Sequence, residues 1–110
     1  MANTFDFNKV KLKTMNVTLS DEKKTTLIIT TPDKKLMDEL KSFKNLTQNL
    51  DETDVLDSLY ELAAKIMSRN KTGVKVSAEM LKELYDDMGY LIAFLNAYTD
   101  FVKDLIGSKN

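Results

Sequence analysis

The one proline of the chain, Pro32, stands directly after residues 25–31 (TTLIITT), the strongest β-branched run in the sequence. Proline has no N–H to donate and a fixed φ, so it belongs at element boundaries, above all in the first turn of a helix. Before Pro32 the apolar residues alternate or are β-branched; after it they recur at helical spacing. The expected fold is therefore α+β: an N-terminal β-hairpin followed by a compact bundle of about four helices. Residues 1–110 form a single domain, with residues 1–31 as the hairpin region and residues 32–110 as the helical region.

On the β side, Val10 and Leu12 alternate with lysines, and beyond Lys13 the alternation changes phase to Met15, Val17 and Leu19. A shift of one residue flips the inward face. Either a bulge near Lys13 and Thr14 or two short strands is expected. Residues 20–24 (SDEKK) make a polar turn into the β-branched run. Two strands alone are marginal in water, so the hairpin must lie on helices or pair with a second chain. Leu27 and Ile29, on its edge strand, are the candidate self-association residues.

On the helical side, Thr31 suits an N-cap with Pro32 at the first helical position. Leu36, Met37, Leu40 and Phe43 make a stripe up to about Lys44, and residues 45–49 interrupt it. A second helix begins at Asp51 or Thr53, with Val55, Leu59, Leu62 and Ile66 on one face and Leu56, Ala63 and Met67 widening it. Its acidic first turn and Arg69 near its end complement the macrodipole. Asn70 or Gly73 supplies a left-handed C-cap. Ser77 caps a third helix striped by Leu81, Leu84, Tyr85 and Met88. Gly89 marks a break before a last helix from about Tyr90 to Ile106, ended by Gly107. In that helix Leu91, Leu95, Tyr98, Val102 and Leu105 are flanked by Phe94, Phe101, Ile92 and Ile106. An apolar face this wide belongs at the centre of a core, or at a core edge covered by a partner.

The chain contains no cysteine and no histidine. That excludes a disulfide framework, a thiolate or imidazole nucleophile, a Ser-His-Asp triad and a zinc site of Cys/His type. Sixteen Lys plus Arg stand against 17 Asp plus Glu, and Arg69 is the only arginine, so nucleic acid is not an expected partner. The longest apolar run, residues 90–95 (YLIAFL), is far short of the ~20 residues that span a bilayer, and membrane is not an expected partner either. Residues 1–7 lack the pattern of a signal peptide, which points to the cytoplasm.

Candidate chemistry is thin. Asp86 and Asp87 are adjacent, which on a helix points them about 100° apart and makes a poor acid/base pair. Asp100 and Asp104 share a face with Lys103 alongside, as an acidic surface does. Asp51, Glu52, Asp54 and Asp57 lack the glycine and terminal glutamate of a calcium loop. The three glycines are isolated, so no phosphate-binding loop is present. No catalytic, cofactor-binding or metal residue is assigned; the chain is expected to be no enzyme, to need no cofactor, and to act by binding or assembling. Its six methionines and the aromatic column Phe94, Tyr98 and Phe101 suit either core filling or an adaptable groove.

Residues 56–102 (LDSLYELAAKIMSRNKTGVKVSAEMLKELYDDMGYLIAFLNAYTDFV) resemble the tail assembly chaperones of long-tailed phages and prophages of Gram-positive bacteria. The matching pieces are an amphipathic helix ending in residues 68–73 (SRNKTG), the link 74–77 (VKVS) that caps the next helix, and a last helix carrying Leu91, Phe94, Ala97, Tyr98, Phe101 and Val102. The hairpin-then-helices order agrees with that family. The resemblance implies a small protein of the bacterial host cytoplasm that coats the tape measure protein, keeps it soluble during tail morphogenesis, self-associates into a homo-oligomer and is absent from the mature virion. Family members often exist also as a longer frameshifted form. Candidate client contacts are Met80, Leu84, Met88, Phe94, Tyr98 and Phe101, each of which also suits core packing. The competing readings are a structural tail or connector subunit and a small helical protein-interaction module.

Overall fold

The computed structural model of the chain describes residues 3–46 and 53–107. A single 3-10 turn, Phe7–Lys9, precedes β1 (Thr14–Thr18) and β2 (Thr26–Thr30). Four helices follow: α1 (Lys34–Leu46), α2 (Thr53–Ser68), α3 (Ala78–Leu84) and α4 (Met88–Gly107). The α+β order expected from the sequence is the order found.

The hairpin is antiparallel, with Met15 opposite Ile29 and Val17 opposite Leu27. These four side chains share the face turned to the helices: Leu27 and Ile29 are fully buried, Met15 and Val17 half-buried. Thr14, Asn16 and Thr18 take the exposed face. The sequence-level alternatives for residues 10–13 both fail. Those residues are exposed and belong to no strand, so the change of phase at Lys13 is simply where pairing starts. In the turn, the Asp21 carboxylate accepts from Thr25 N at 2.8 Å and from Thr25 Oγ1 at 2.6 Å, and Lys24 takes the left-handed conformation at φ 50°.

Two helix boundaries differ from those read off the pattern. At the start of α1 the cap is Asp33, whose carboxylate accepts from Leu36 N at 2.8 Å, so Pro32 precedes the helix instead of opening it. Thr31 is otherwise engaged: its carbonyl accepts two bonds from the Arg69 guanidinium. The break between α3 and α4 falls before Gly89. α3 ends at Leu84, and the Asp87 carboxylate accepts from Gly89 N at 2.7 Å in the manner of a cap, which leaves Gly89 inside the first turn of α4. Ser77 caps α3 as expected, accepting from Met80 N at 3.1 Å. Gly73, at φ 77°, takes the left-handed turn after α2. Asp51, Glu52 and the stretch 47–50 lie outside the described residues, as does the side chain of Val55.

The core gathers around α2. Leu59 and Ile66 meet Leu27 and Ile29 of the hairpin, Leu81 of α3, and Leu91 and Tyr98 of α4, all of them fully buried. Among the described residues no buried side-chain polar atom lacks a partner, which is what a well-formed interior requires.

Candidate functional site

The hairpin is fastened to the helices at the end of α2. Arg69 lies just past that helix, with Nε and one terminal nitrogen donating to Thr31 O at 3.2 and 2.9 Å and the other terminal nitrogen 3.3 Å from Asp33 Oδ2. Beside it, Thr30 N donates to Arg69 O and Lys71 N donates to Ile28 O, so residues 69–71 cover the outer edge of β2. Asn70 holds that stretch in shape, donating to Met67 O and Val74 O and accepting from Val74 N. The fixed point of the turn in residues 68–73 is thus structural: it docks the sheet.

With β2 covered, β1 is the open edge among the described residues. Strand geometry makes the backbone groups of successive residues point to opposite sides. Because Ile28 and Thr30 bond toward residues 69–71, Leu27 and Ile29 bond toward β1, and their partners Val17 and Met15 point inward along the sheet. The N–H and C=O groups of Thr14, Asn16 and Thr18 therefore face outward along the open edge.

An apolar groove of about 210 Å³ opens at the far end of that edge, between residues 17–20 and the start of α4. Its walls are Val17, Leu19, Met67, Leu91 and Phe94, with Tyr85 and Tyr90 at the mouth. Tyr85 is fixed there: its hydroxyl accepts from Ser20 N at 3.0 Å, and its ring lies 5.2 Å from that of Tyr90. Tyr90, 59 % exposed, extends the apolar surface outward, while the exposed Met88 and Ile92, each two residues from Tyr90 and so about 160° round the helix, lie on the other flank of α4. The volume is below the roughly 300 Å³ at which small-molecule pockets begin, so the groove suits one or two side chains of a protein partner.

A second, more polar groove of about 350 Å³ runs between α1 and α2 past Asp33, Glu39, Lys65 and Arg69. Four of its charges pair with each other, Lys65 to Glu39 at 2.6 Å and Arg69 to Asp33 at 3.3 Å, beside Lys35. Among the described residues no cluster of acidic side chains could hold a metal ion, and no helix is long and apolar enough to cross a membrane.

The residues singled out from the sequence divide by burial. Phe94, half-buried, lines the groove, and Met88 is exposed on the other flank of α4. Met80, Leu84 and Phe101 are half-buried against the core. Tyr98 is wholly interior, stacked between Phe94 at 6.3 Å and Phe101 at 5.8 Å, with its hydroxyl donating to Thr30 O at 3.0 Å. Burial and the nearby Asp33 push its phenol up to about 12 against the opposing pull of Arg69. Leu27 and Ile29 are wholly interior too, so their side chains face the helices and the exposed sheet edge belongs to β1. Val17 and Tyr85 read from the sequence as strand and helix-stripe positions, and the structure brings them together with Tyr90 at the groove. Tyr90 opens the last apolar run on the side away from the Leu91–Tyr98 line, and that offset was the available signal. No family model, curated protein or solved structure matches the chain.

Proposed function

We propose that the chain is a tail assembly chaperone of a long-tailed phage or prophage, acting in the host cytoplasm by binding the tape measure protein and keeping it soluble, and leaving before the virion is complete. The reading is one of binding without catalysis. Its main support is the likeness of residues 56–102 to that family. A second support is physical: a long helical client offers many similar apolar side chains, and a shallow groove walled by Met67 and Phe94 with Tyr90 at its mouth makes modest, repeatable contacts of that kind. Of the residues proposed as client contacts, Met88 is exposed, Met80, Leu84, Phe94 and Phe101 are half-buried, and Tyr98 is interior.

The test is co-expression with the largest protein encoded immediately downstream. Client that becomes soluble and co-purifies with many copies of this chain supports the proposal; client that is equally soluble alone and captures nothing overturns it. A structural tail or connector subunit is the second reading, favoured by the open β1 edge, a feature suited to assembly. Presence of the chain in purified virions would decide for it.

A further inference from the structure

The residues before β1 form an arm, residues 3–13, that carries Phe5 at 69 %, Phe7 at 82 %, Val10 at 44 % and Leu12 at 57 % exposure. Phe5 and Phe7 pack edge to face on each other at 4.7 Å, and no residue of the arm belongs to the core. Four large apolar side chains held in water on one short segment are an unusual cost for a chain of this size. The arm leads straight into β1, whose outer edge is open, and Val10 is already extended at φ −72° and ψ 128°.

The chain's own arm cannot fill that edge. To double back on Thr14–Thr18 it would have to turn within residues 10–13 (VKLK), which contain no Gly, Pro, Asn or Asp. A second copy can. We infer that two copies pair through antiparallel association of residues 10–18, the arm of each lying along the open β1 edge of the other. The register follows from which backbone groups are free. Those of Thr14, Asn16 and Thr18 point outward, which restricts pairing to even-numbered partners, and the register that engages residues 10–18 of both copies places Thr14 opposite Thr14 on the two-fold axis, Asn16 opposite Leu12 and Thr18 opposite Val10.

That register has a consequence for the groove. Antiparallel pairing carries the start of each arm past Thr18 of the other copy, toward residues 17–20, where the groove opens. Phe5 and Phe7 then arrive beside an apolar cleft with room for one or two side chains. Charge agrees: residues 3–13 hold three lysines and one aspartate, while exposed Asp86 and Asp87 stand directly after Tyr85 at the mouth of the groove. The result is a continuous four-stranded sheet in which neither β1 edge is left open, the state that isolated sheet edges otherwise reach by aggregation.

Sedimentation of the full chain over a range of concentrations tests this. The expected mass rises from 12.5 kDa to twice that value and no further. Phe7→Ser and Asn16→Pro should each return the dimer to monomer, the latter by removing an outward N–H that β2 does not use. Because the chain has no cysteine, Thr14→Cys should form a disulfide-linked dimer on mild oxidation, while Thr26→Cys, exposed on β2, should not. Circular dichroism confirms that each variant is folded. A wild-type chain that stays at 12.5 kDa, a dimer that survives both Phe7→Ser and Asn16→Pro, or equal cross-linking at Thr14 and Thr26 overturns the inference. A confirmed dimer would set the arm of one copy against the groove offered to the client, and the tape measure proposal would then stand on the likeness of residues 56–102; co-purification tests that proposal separately.

Discussion

Tyr98 is the residue on which the interior and the hairpin meet. Its ring is the centre of the aromatic column in α4, and its hydroxyl reaches across to the carbonyl of Thr30 at the end of β2. Removing the hydroxyl by Tyr98→Phe deletes that bond in a dry site and is expected to cost about 1–2 kcal/mol, measurable by urea unfolding. The same burial sets a pH limit. A phenol raised to about 12 in the folded chain, against an ordinary value of 10.0, contributes stability that is complete below pH 10 and lost as the pH climbs toward 12. Tyr98→Phe should remove this alkaline loss, so the two unfolding curves should converge as the pH passes 10. The aromatic column was visible in the sequence as residues spaced by four and three. Which of its members is enclosed was not, because a stripe says that a face is apolar and not what stands against it.

Among the elements, the hairpin turn carries the clearest strain and the clearest titration. Lys24 holds φ 50°, where an L side chain crowds its own backbone. Lys24→Gly should stabilise the chain by roughly 0.5–1 kcal/mol, read as a rise in thermal midpoint. Asp21 is held below its ordinary 3.8 by the hydroxyl and N–H of Thr25. A lowered carboxylate contributes stability that is full above its unfolded value and lost as the pH falls below it, so Asp21→Asn should flatten the acid limb of the stability curve below about pH 4. Element types were legible throughout, because period 2 before Pro32 and period 3.6 after it are long and regular. The errors lie at ends, where competing partners decide. Asp33 outcompeted Thr31 as cap once Arg69 took the Thr31 carbonyl, and Asp87 moved the α3–α4 break away from Gly89. Residues 10–13 alternate as a strand does, yet among the described residues none pairs with them.

For the molecule as a whole, α2 is the axis against which β2, α1, α3 and α4 are arranged. Ile66, fully buried on that axis, should be the costliest single truncation: Ile66→Ala is expected to lose about 2–5 kcal/mol, enough to unfold a large share of a marginal domain. The groove and the arm were the least legible parts of the candidate site, since both arise only when the β1 end and the α4 start are brought together across the sheet. Their residue types, aromatic and aliphatic, are the same ones a core uses.

One helix departs from this cohesion. Among the described residues α1 gives only Leu36 to the buried core, packs chiefly on α2, and is pinned by two partly exposed ion pairs, Asp33 to Arg69 and Glu39 to Lys65. Surface pairs of that kind contribute on the order of 0–1 kcal/mol each. The amide hydrogens of α1 should therefore exchange with solvent through a local opening well below the global unfolding free energy, while those of α2 and α4 wait for the whole fold to come apart. Such an opening would uncover Ala64 and Val76, which line the groove beneath α1, ahead of the rest of the core.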